Sequence, residues 1–204
     1  MSAPHTPGAN VPATSGAAAP APAFRPCVII PTYNNPLTVR RVVEAVRPFL
    51  ADIVVIDDGS DAPGREAVAA VGQAGLAHVV HRPANGGKGA AVKTGFAEAL
   101  RLGYSHALQV DADGQHTLDD IPAFLKAAAQ RPDALVLGAP VFDESQPKGR
   151  AFARKISIFW VHVETGGRVI QDPQCGFRVY PLRAALDAGA RGDRMDFDLE
   201  IPVR

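Results

Sequence analysis

Short apolar runs alternate with longer amphipathic stretches along most of this chain, and this alternation limits most strongly how it can fold. Five runs are rich in Val, Ile and Leu without strict alternation of polar and apolar residues, at positions 27–30, 53–56, 78–80, 107–110 and 135–137. Such runs are typical of strands buried on both faces of a parallel sheet. Strands separated by helices and short links predict an α/β fold with a mostly parallel sheet and helices on its faces.

The stretches between these runs carry helix signals. Apolar residues from Val39 to Leu50 recur at helical spacing, and Asn35 followed by Pro36 predicts an N-cap and a first-turn proline for this helix. The remaining helix predictions are a helix capped by Ser60 or Asp61, a helix over 90–102 that Gly103 ends, and a helix over 118–130 after a Thr117 cap.

The composition excludes some classes of protein. Lys plus Arg and Asp plus Glu are both 21, whereas general nucleic-acid binders carry a basic excess, so we expect no nucleic-acid partner. Cys27 and Cys175 provide neither a disulfide framework nor metal-ligand spacing, which favours a reducing cytoplasm. No apolar run is long enough to span a bilayer. Residues 1–24, rich in Ala and Pro, are expected to form a disordered tail.

Polar residues follow four of the predicted strands, at the point where each strand ends. The clusters occupy 31–35, 57–60, 82–89 and 111–115. The carboxyl ends of parallel strands meet at one edge of a sheet, and ligands of such folds bind there. The four clusters therefore predict a single binding site.

Asp111 and Asp113 stand one residue apart after the fourth run, with Gln115 two residues further on. Side chains of a strand alternate between faces, so both carboxylates are expected on the same side. Carboxylates this close repel each other unless a cation lies between them, and Mg²⁺ or Mn²⁺ bound in this way usually also contacts a substrate phosphate. A polar turn after a strand, in which Asp and Gly are common, is the structural alternative.

Further polar groups suit a nucleotide. The glycine-rich loop 85–89 precedes a predicted helix, and its Lys88 favours an anion, although a flexible turn with a helix cap explains the loop equally well. Its glycine spacing is neither that of a Walker loop nor that of a dinucleotide fingerprint. Asp58 offers a carboxylate to a base or ribose, or else belongs to a strand-end turn. Tyr33 can stack on a base or pack at the rim.

Taken in order, these motifs resemble those of family 2 glycosyltransferases with the GT-A fold. The resemblance rests on Pro-Thr-Tyr-Asn at 31–34, Asp-Asp-Gly-Ser at 57–60, Asn-x-Gly-Lys-Gly at 85–89 and Asp-Ala-Asp-Gly-Gln at 111–115. Within the family, the motifs are most similar to those of dolichyl-phosphate mannosyltransferase-like and polyprenyl-phosphate glycosyltransferase-like enzymes. The resemblance covers residues 25–204 and implies one Rossmann-like catalytic domain.

The resemblance implies a role for each matching position. The donor, a UDP- or GDP-sugar, would be bound by Pro31, Tyr33, Asn34, Asp58, Gly87, Lys88 and Asp111. A divalent Mg²⁺ or Mn²⁺ on the donor diphosphate would be held by Asp111, Asp113 and Gln115.

The resemblance also extends to the acceptor side and to catalysis. The motif over 171–178 is similar to the family's acceptor-side loop, and the segment 195–200 resembles the helix that closes the site. Arg178 would then face the diphosphate. Asp172 is the first candidate for a general base and Asp198 the second, and each is alternatively a loop cap or an ion-pair partner of Arg178. An acceptor that is a lipid phosphate is already anionic, so Asp172 would then orient it.

The function expected from this resemblance is inverting, metal-dependent transfer of a sugar from a nucleotide sugar to a lipid-phosphate or hydroxyl acceptor, such as a glycan, in cell-envelope glycan or glycolipid synthesis. We expect the enzyme in the cytoplasm or at the inner face of the membrane. Basic residues over 148–155, beside the apolar stretch 156–163, would provide a peripheral membrane contact, or else form an ordinary solvated helix face.

Two departures from the family pattern leave alternatives open. Asn35 stands where the family usually has Glu, and the chain ends directly after the closing helix begins, so a catalytic domain incomplete at its C-terminus is expected. An inactive or regulatory relative that binds a sugar nucleotide is one alternative. A sugar-nucleotide nucleotidyltransferase is the other, although its glycine-rich loop would follow the first strand, where this chain has Pro-Thr-Tyr.

Overall fold

A six-stranded, mostly parallel sheet organises the computed structural model, which describes residues 23–138 and 175–204. The strands are β1 (Pro26–Thr32), β2 (Ile53–Asp57), β3 (His78–His81), β4 (His106–Gln109), β5 (Val136–Leu137) and β6 (Arg178–Pro181), in the order β3-β2-β1-β4-β6-β5. β1 pairs in parallel with β2 and β4, and β2 with β3, whereas β6 pairs antiparallel with both β4 and β5.

Helices cover both faces of the sheet. They are α1 (Val39–Val46), α2 (Ala62–Gln73), α3 (Lys88–Arg101), α4 (Ile121–Gln130), α5 (Leu182–Asp187) and α6 (Asp196–Glu200), with a 3₁₀ turn over Leu118–Asp120. Among the described residues, no helix is long and apolar enough to cross a membrane.

Alternating side chains of the strands separate two hydrophobic cores. Val28 and Ile30 of β1 pack with buried residues of α1, α2 and α4, whereas Cys27 and Ile29 pack with those of α3, α5 and α6. The second core brings α3 close to the sheet, since a Cβ at Gly95 would lie 2.8 Å from Ile56 Cδ1. This close packing fixes the N-terminus of α3 above the carboxyl ends of the central strands.

The predicted α/β fold is confirmed, and each of the five predicted strands is present within two residues of its expected ends. The sequence interpretation missed β6, which it treated as the end of a loop. β6 is four residues long, begins with a charged residue and ends in a proline, so it carries no apolar run. Its antiparallel insertion between β4 and β5 depends on pairing partners distant in the sequence.

Helix ends were predicted less well than helices. The Asn35 cap was wrong: α1 begins at Val39, and Asn35 Nδ2 instead donates to Thr32 Oγ1 and to the Tyr33 carbonyl. Thr117 makes no capping hydrogen bond to the turn that precedes α4. The alternative of an Asp61 cap is confirmed for α2, because its carboxylate accepts from the Gly64 N–H at 3.2 Å. The predicted tail and the stretch 148–163 fall outside the described residues, apart from the tail's last two positions.

Candidate functional site

A cavity of about 680 Å³ opens at the carboxyl ends of the four parallel strands β1 to β4. Its lining comes from the end of β1, the loops that follow the four strands, the first turn of α3 and the segment before α6: Pro31, Thr32, Tyr33, Asn35, Asp58, Asn85, Gly87, Lys88, Ala91, Asp111, Ala112, Asp113, Arg194 and Met195. The four sequence clusters therefore meet at one site, as their positions predicted. This volume lies within the range of pockets that enclose cofactors and small ligands.

Asp58 holds the glycine-rich loop against the end of β2. Its carboxylate accepts from the N–H of Gly86 at 3.1 Å and from that of Gly87 at 2.8 Å, and it pairs with the Arg82 guanidinium. Gly59 lets the two loops approach, since it has φ +69° and a Cβ there would lie 2.5 Å from the Ala84 carbonyl carbon. Asp58 is almost fully buried, so its carboxylate positions the loop that lines the cavity.

Lys88 is the first residue of α3 and bridges two carboxylates. Its Nζ lies 2.9 Å from Asp111 Oδ2 and 3.1 Å from Asp198 Oδ2. Burial alone lowers the pKa of Lys88, but the charges of Asp111 and Asp198 outweigh it and hold that pKa above its ordinary value. The ammonium group thus stays charged at the floor of the cavity.

Asp111 is held from several directions. Its Oδ1 accepts from Gln109 Nε2 at 3.1 Å, and Gln109 Oε1 in turn accepts from the Tyr180 hydroxyl at 3.1 Å. Burial raises the pKa of Asp111, yet contact with His116 and the charge of Lys88 outweigh burial and hold it below the ordinary value. Asp111 is therefore an ionised carboxylate with a fixed orientation.

Asp113 lies in a turn and not in a strand. β4 ends at Gln109, so the alternation argument for the two carboxylates fails, although both line the same cavity. Asp113 is exposed, and its Oδ1 accepts from the Gln115 N–H at 3.0 Å. Gln115 is exposed and is not part of the cavity lining.

Asp111 and Asp113 are suited to bind a divalent cation whose remaining ligands come from a diphosphate and water. Within residues 23–138 and 175–204, no group of three or more His, Cys, Asp or Glu side chains has a metal-binding arrangement. Mg²⁺ is commonly held by one or two carboxylates together with substrate phosphates and water, so the donor set present is of the expected kind.

Arg178 and Asp198, predicted as catalytic, are fully buried and do not line the cavity. Arg178 Nε donates to the Cys175 carbonyl at 2.6 Å, and its Nη2 donates to the Asp198 carbonyl at 3.0 Å. Within the part of the chain that the structure describes, Asp198 is linked to the cavity by Lys88, whose Nζ lies 3.1 Å from Asp198 Oδ2. This placement indicates positioning roles, and the catalytic roles stay predictions. Asp172 lies outside the described residues.

The loop after β1 forms the opposite rim of the cavity. Pro31 at the end of β1 and Tyr33 in the loop both line the cavity, and Tyr33 is 49% exposed and accessible to a ligand. Asn34 is not in the lining: it has φ +54°, and its side chain accepts from the Asp61 N–H at 2.9 Å. Asn35 lines the cavity in its place.

Sequence reasoning missed Arg194 as a site residue. Arg194 lines the cavity beside Gly87, where a Cβ would lie 2.8 Å from Arg194 Cγ, and among the described residues its guanidinium forms no ion pair. Its position depends on the packing of the segment before α6 against α3, which no local pattern reveals. The resemblance of 195–200 to a closing helix was the only available signal.

Comparison with known proteins assigns the family. Residues 27–186 match the model described as glycosyl transferase family 2. The chain belongs to this family. It is 38% identical over 121 residues to an undecaprenyl-phosphate mannosyltransferase of Micrococcus luteus, covering 57% of this chain and 48% of that one. It is 42% identical over 113 residues to a polyprenol monophosphomannose synthase of Mycolicibacterium smegmatis, covering 52% and 42% respectively. The matches thus span less than half the length of these two relatives.

Solved structures share the GT-A fold of this family 2 member. Glucosyl-3-phosphoglycerate synthase from Mycobacterium tuberculosis, in complex with Mn²⁺, uridine diphosphate and glucosyl-3-phosphoglycerate, is similar with a TM-score of 0.65 at 18% identity. That similarity covers 88% of this chain and 64% of the synthase. Staphylococcus aureus TarS 1–349 in complex with UDP is similar with a TM-score of 0.53 at 20% identity, over 81% of this chain and 49% of TarS.

Proposed function

We propose that this chain transfers a sugar, with inversion and with the help of a divalent cation, from a nucleoside-diphosphate sugar to a polyprenyl phosphate. One observation carries the proposal: the loops after four parallel strands meet at a single cavity that holds both Asp111 and Asp113. Membership of glycosyltransferase family 2 supports sugar transfer. The names of the two mannosyltransferase-type relatives support a lipid-phosphate acceptor.

In this proposal the donor occupies the main cavity. Asp58 holds the loop of Gly86 and Gly87 in place, and Tyr33 offers an aromatic face at the rim for the base. Arg194 supplies a guanidinium that suits the bidentate geometry of a phosphate. The nucleotide of this donor is UDP or GDP, and titration with each of the two distinguishes them.

The cation belongs with Asp111 and Asp113, which would hold it against the donor diphosphate. When bound, it stabilises the negative charge that develops on the leaving diphosphate. In this proposal Lys88 also holds the two carboxylates in place, because its ammonium group lies between Asp111 and Asp198 and helps to keep the pKa of Asp111 below its ordinary value.

The acceptor side of the proposal needs no general base. A phosphate monoester is an anion at neutral pH, so its oxygen can attack the anomeric carbon without losing a proton first. This suits Asp198, which is fully buried and paired with Lys88, and is not placed to accept a proton from a substrate. We assign Asp198 the role of positioning Lys88.

Transfer from labelled UDP- and GDP-sugars to a short-chain polyprenyl phosphate tests the function. Arg194→Gln should reduce donor affinity by about ten- to a hundredfold, because a hydrogen bond to a charged group contributes about 1.5–3 kcal/mol. Arg191→Gln is the matched control, since Arg191 is three residues away and does not line the cavity.

The outcomes separate the alternatives. Sugar transfer by the wild type, reduced in Arg194→Gln and unchanged in Arg191→Gln, supports the proposal. Nucleotide binding without transfer to any phosphate or hydroxyl acceptor would contradict it and favour a binding-only relative, for which Asn35 in the cavity gives a structural reason.

A further inference from the structure

Asp57, the last residue of β2, is a fully buried carboxylate outside the lining of the main cavity. It lies opposite His81, the last residue of β3, in the parallel pairing of the two strands. His81 Nδ1 is 2.7 Å from Asp57 Oδ2, and the Ser60 N–H donates to Asp57 Oδ1 at 2.9 Å. One oxygen of this carboxylate is therefore held by the neighbouring strand and the other by the turn that follows β2.

These contacts determine the charge of Asp57 and the tautomer of His81. Burial raises the pKa of Asp57, but the hydrogen bonds from Ser60 and His81 outweigh burial and hold that pKa below its ordinary value. An ionised carboxylate can only accept hydrogen bonds, so His81 Nδ1 carries a proton and donates it to Asp57 Oδ2. Because a buried charge without a partner is strongly destabilising, loss of this donor would displace Asp57 and the turn that it holds.

Hydrogen bonds lead from this turn to the loop that follows β1. Ser60 Oγ accepts from the Asn34 N–H at 2.9 Å, and Asn34 Oδ1 accepts from the Asp61 N–H at 2.9 Å. Asn34 comes directly after Tyr33 and has φ +54°, a left-handed conformation that is uncommon for residues other than glycine. The conformation of the loop that presents Tyr33 to the cavity thus depends on the turn that Asp57 holds.

The pair of His81 and Asp57 also lies next to an ion pair at the cavity. Asp58 and Arg82 each follow one member of the pair directly, and the Arg82 guanidinium contacts the Asp58 carboxylate. The Arg82 N–H donates to the Asp57 carbonyl at 2.8 Å, which ties the ends of the two strands together. Asp58 lines the cavity, so a displacement of Asp57 would reach the lining within one residue.

We propose that His81 is a positioning residue for the donor nucleotide and acts through Asp57. It keeps in place the turn that carries Asp58 and the loop that carries Tyr33, and it does not itself line the cavity. The inference deepens and rests on the proposed function, because it requires a nucleotide in the main cavity. A preorganised pocket loses less conformational entropy when its ligand binds. His81 should therefore increase donor affinity and leave turnover at saturating donor unchanged.

Calorimetric titration of the full chain with UDP and with GDP, each with Mn²⁺, tests this role. His81→Leu removes the donor to Asp57 and should weaken binding of the nucleotide about tenfold, because hydrogen bonds to charged groups are the stronger ones. His81→Asn should restore most of the affinity, because the asparagine Nδ2 is as many bonds from Cα as the histidine Nδ1. His78→Leu is the matched control, since His78 begins β3 and pairs with Glu98 at 2.6 Å.

The titrations give a clear decision. Weaker binding in His81→Leu, recovery in His81→Asn and wild-type affinity in His78→Leu support the positioning role. Wild-type affinity in His81→Leu, no recovery in His81→Asn, or an equal loss in His78→Leu overturns it. In the transfer reaction, His81→Leu should raise the donor KM about tenfold with kcat unchanged. A lower kcat at unchanged KM overturns the role as well.

Ser60→Ala tests the same connection without touching the buried pair. It removes the acceptor of the Asn34 N–H and should weaken nucleotide binding severalfold. Wild-type affinity in Ser60→Ala overturns the inference even if His81→Leu does not fold. A wild type that binds neither nucleotide contradicts the proposed function, and the inference with it. Nucleotide binding by the wild type that His81→Leu leaves unchanged contradicts the inference alone.

Discussion

Asp111 shows at the scale of a single residue how the site is prepared for a ligand. Lys88 and Gln109 each occupy one of its oxygens, and His116 lies 3.5 Å away. Gly176 packs against the same carboxylate, because a Cβ there would lie 2.5 Å from Asp111 Oδ2, and the 24% of the Asp111 side chain that stays exposed faces the cavity. A carboxylate so constrained loses little conformational entropy when a ligand binds.

Replacing Gln109 tests this positioning. Gln109→Leu removes the donor to Asp111 and leaves the buried Tyr180 hydroxyl without its acceptor, so the free energy of unfolding should fall by about 1–3 kcal/mol. Nucleotide affinity in the presence of Mn²⁺ should fall as well. Urea unfolding and calorimetry measure the two effects.

Tyr180→Phe is the control for that variant. It leaves the bond between Gln109 and Asp111 in place but removes the donor to the buried Gln109 Oε1, so it should also cost about 1–3 kcal/mol of stability and yet leave nucleotide affinity unchanged. Wild-type nucleotide affinity in Gln109→Leu would remove Gln109 from the site's architecture.

At the scale of elements, the site depends on α3 and on the segment that leads into α6. The Ala90 N–H donates to the Asp193 carbonyl at 3.0 Å, so this segment covers the first turn of α3. Gly87 and Gly89 make the approach possible: a Cβ would lie 2.5 Å from Asp193 O at the first and 2.5 Å from Phe197 Cβ at the second. The glycines of the loop therefore serve packing at least as much as turn formation.

Gly89→Ala should force the segment before α6 away from α3. The added methyl meets Phe197 Cβ and the Gly192 carbonyl, so the variant should lose about 1–3 kcal/mol of stability and bind nucleotide more weakly. Gly75→Ala is the control: it has φ +64° but open space around it, so it should lose about 1–2 kcal/mol through backbone strain alone. Equal nucleotide affinities in the two variants would contradict this role for Gly89.

Glu200 secures the same segment and makes its attachment pH-dependent. The N–H groups of Gly192 and Arg191 lower the pKa of Glu200 from 4.5 to about 2. Because the folded pKa is depressed, the stabilisation is complete above about pH 4.5 and is lost as the pH falls towards 2.

The Glu200→Gln variant isolates this effect. Between pH 5 and pH 2, the wild-type free energy of unfolding should fall more steeply than that of Glu200→Gln, and the protection factors of the amides in residues 191–195, each relative to its intrinsic exchange rate at the same pH, should fall in parallel in the wild type. Parallel stability curves for the two proteins would show that Glu200 has no such role.

At the scale of the whole molecule, the parallel strands bring residues distant in sequence to one rim. The sequence predicted this, because strand periodicity and the polar residues after each strand are local signals. It did not predict β6, or that Arg178 of β6 would be buried beneath Asp198, because both depend on pairing across the chain. Arg194 was missed for the same reason. Local patterns thus predicted the parallel strands and most of the cavity lining. They did not predict which charged side chains, such as Arg178, would be buried beneath the cavity and which, such as Arg194, would line it.

Calorimetric titration of UDP and GDP into the wild type and Asp113→Asn, with Mn²⁺ and then with chelator, tests the central claim most directly. The account predicts that one nucleotide binds with Mn²⁺, that chelator abolishes binding, and that Asp113→Asn weakens it by tenfold or more without unfolding. That nucleotide at 100 times its Kd should stabilise the fold by about 2.7 kcal/mol. Binding of neither nucleotide, or binding indifferent to both the chelator and the substitution, would contradict it.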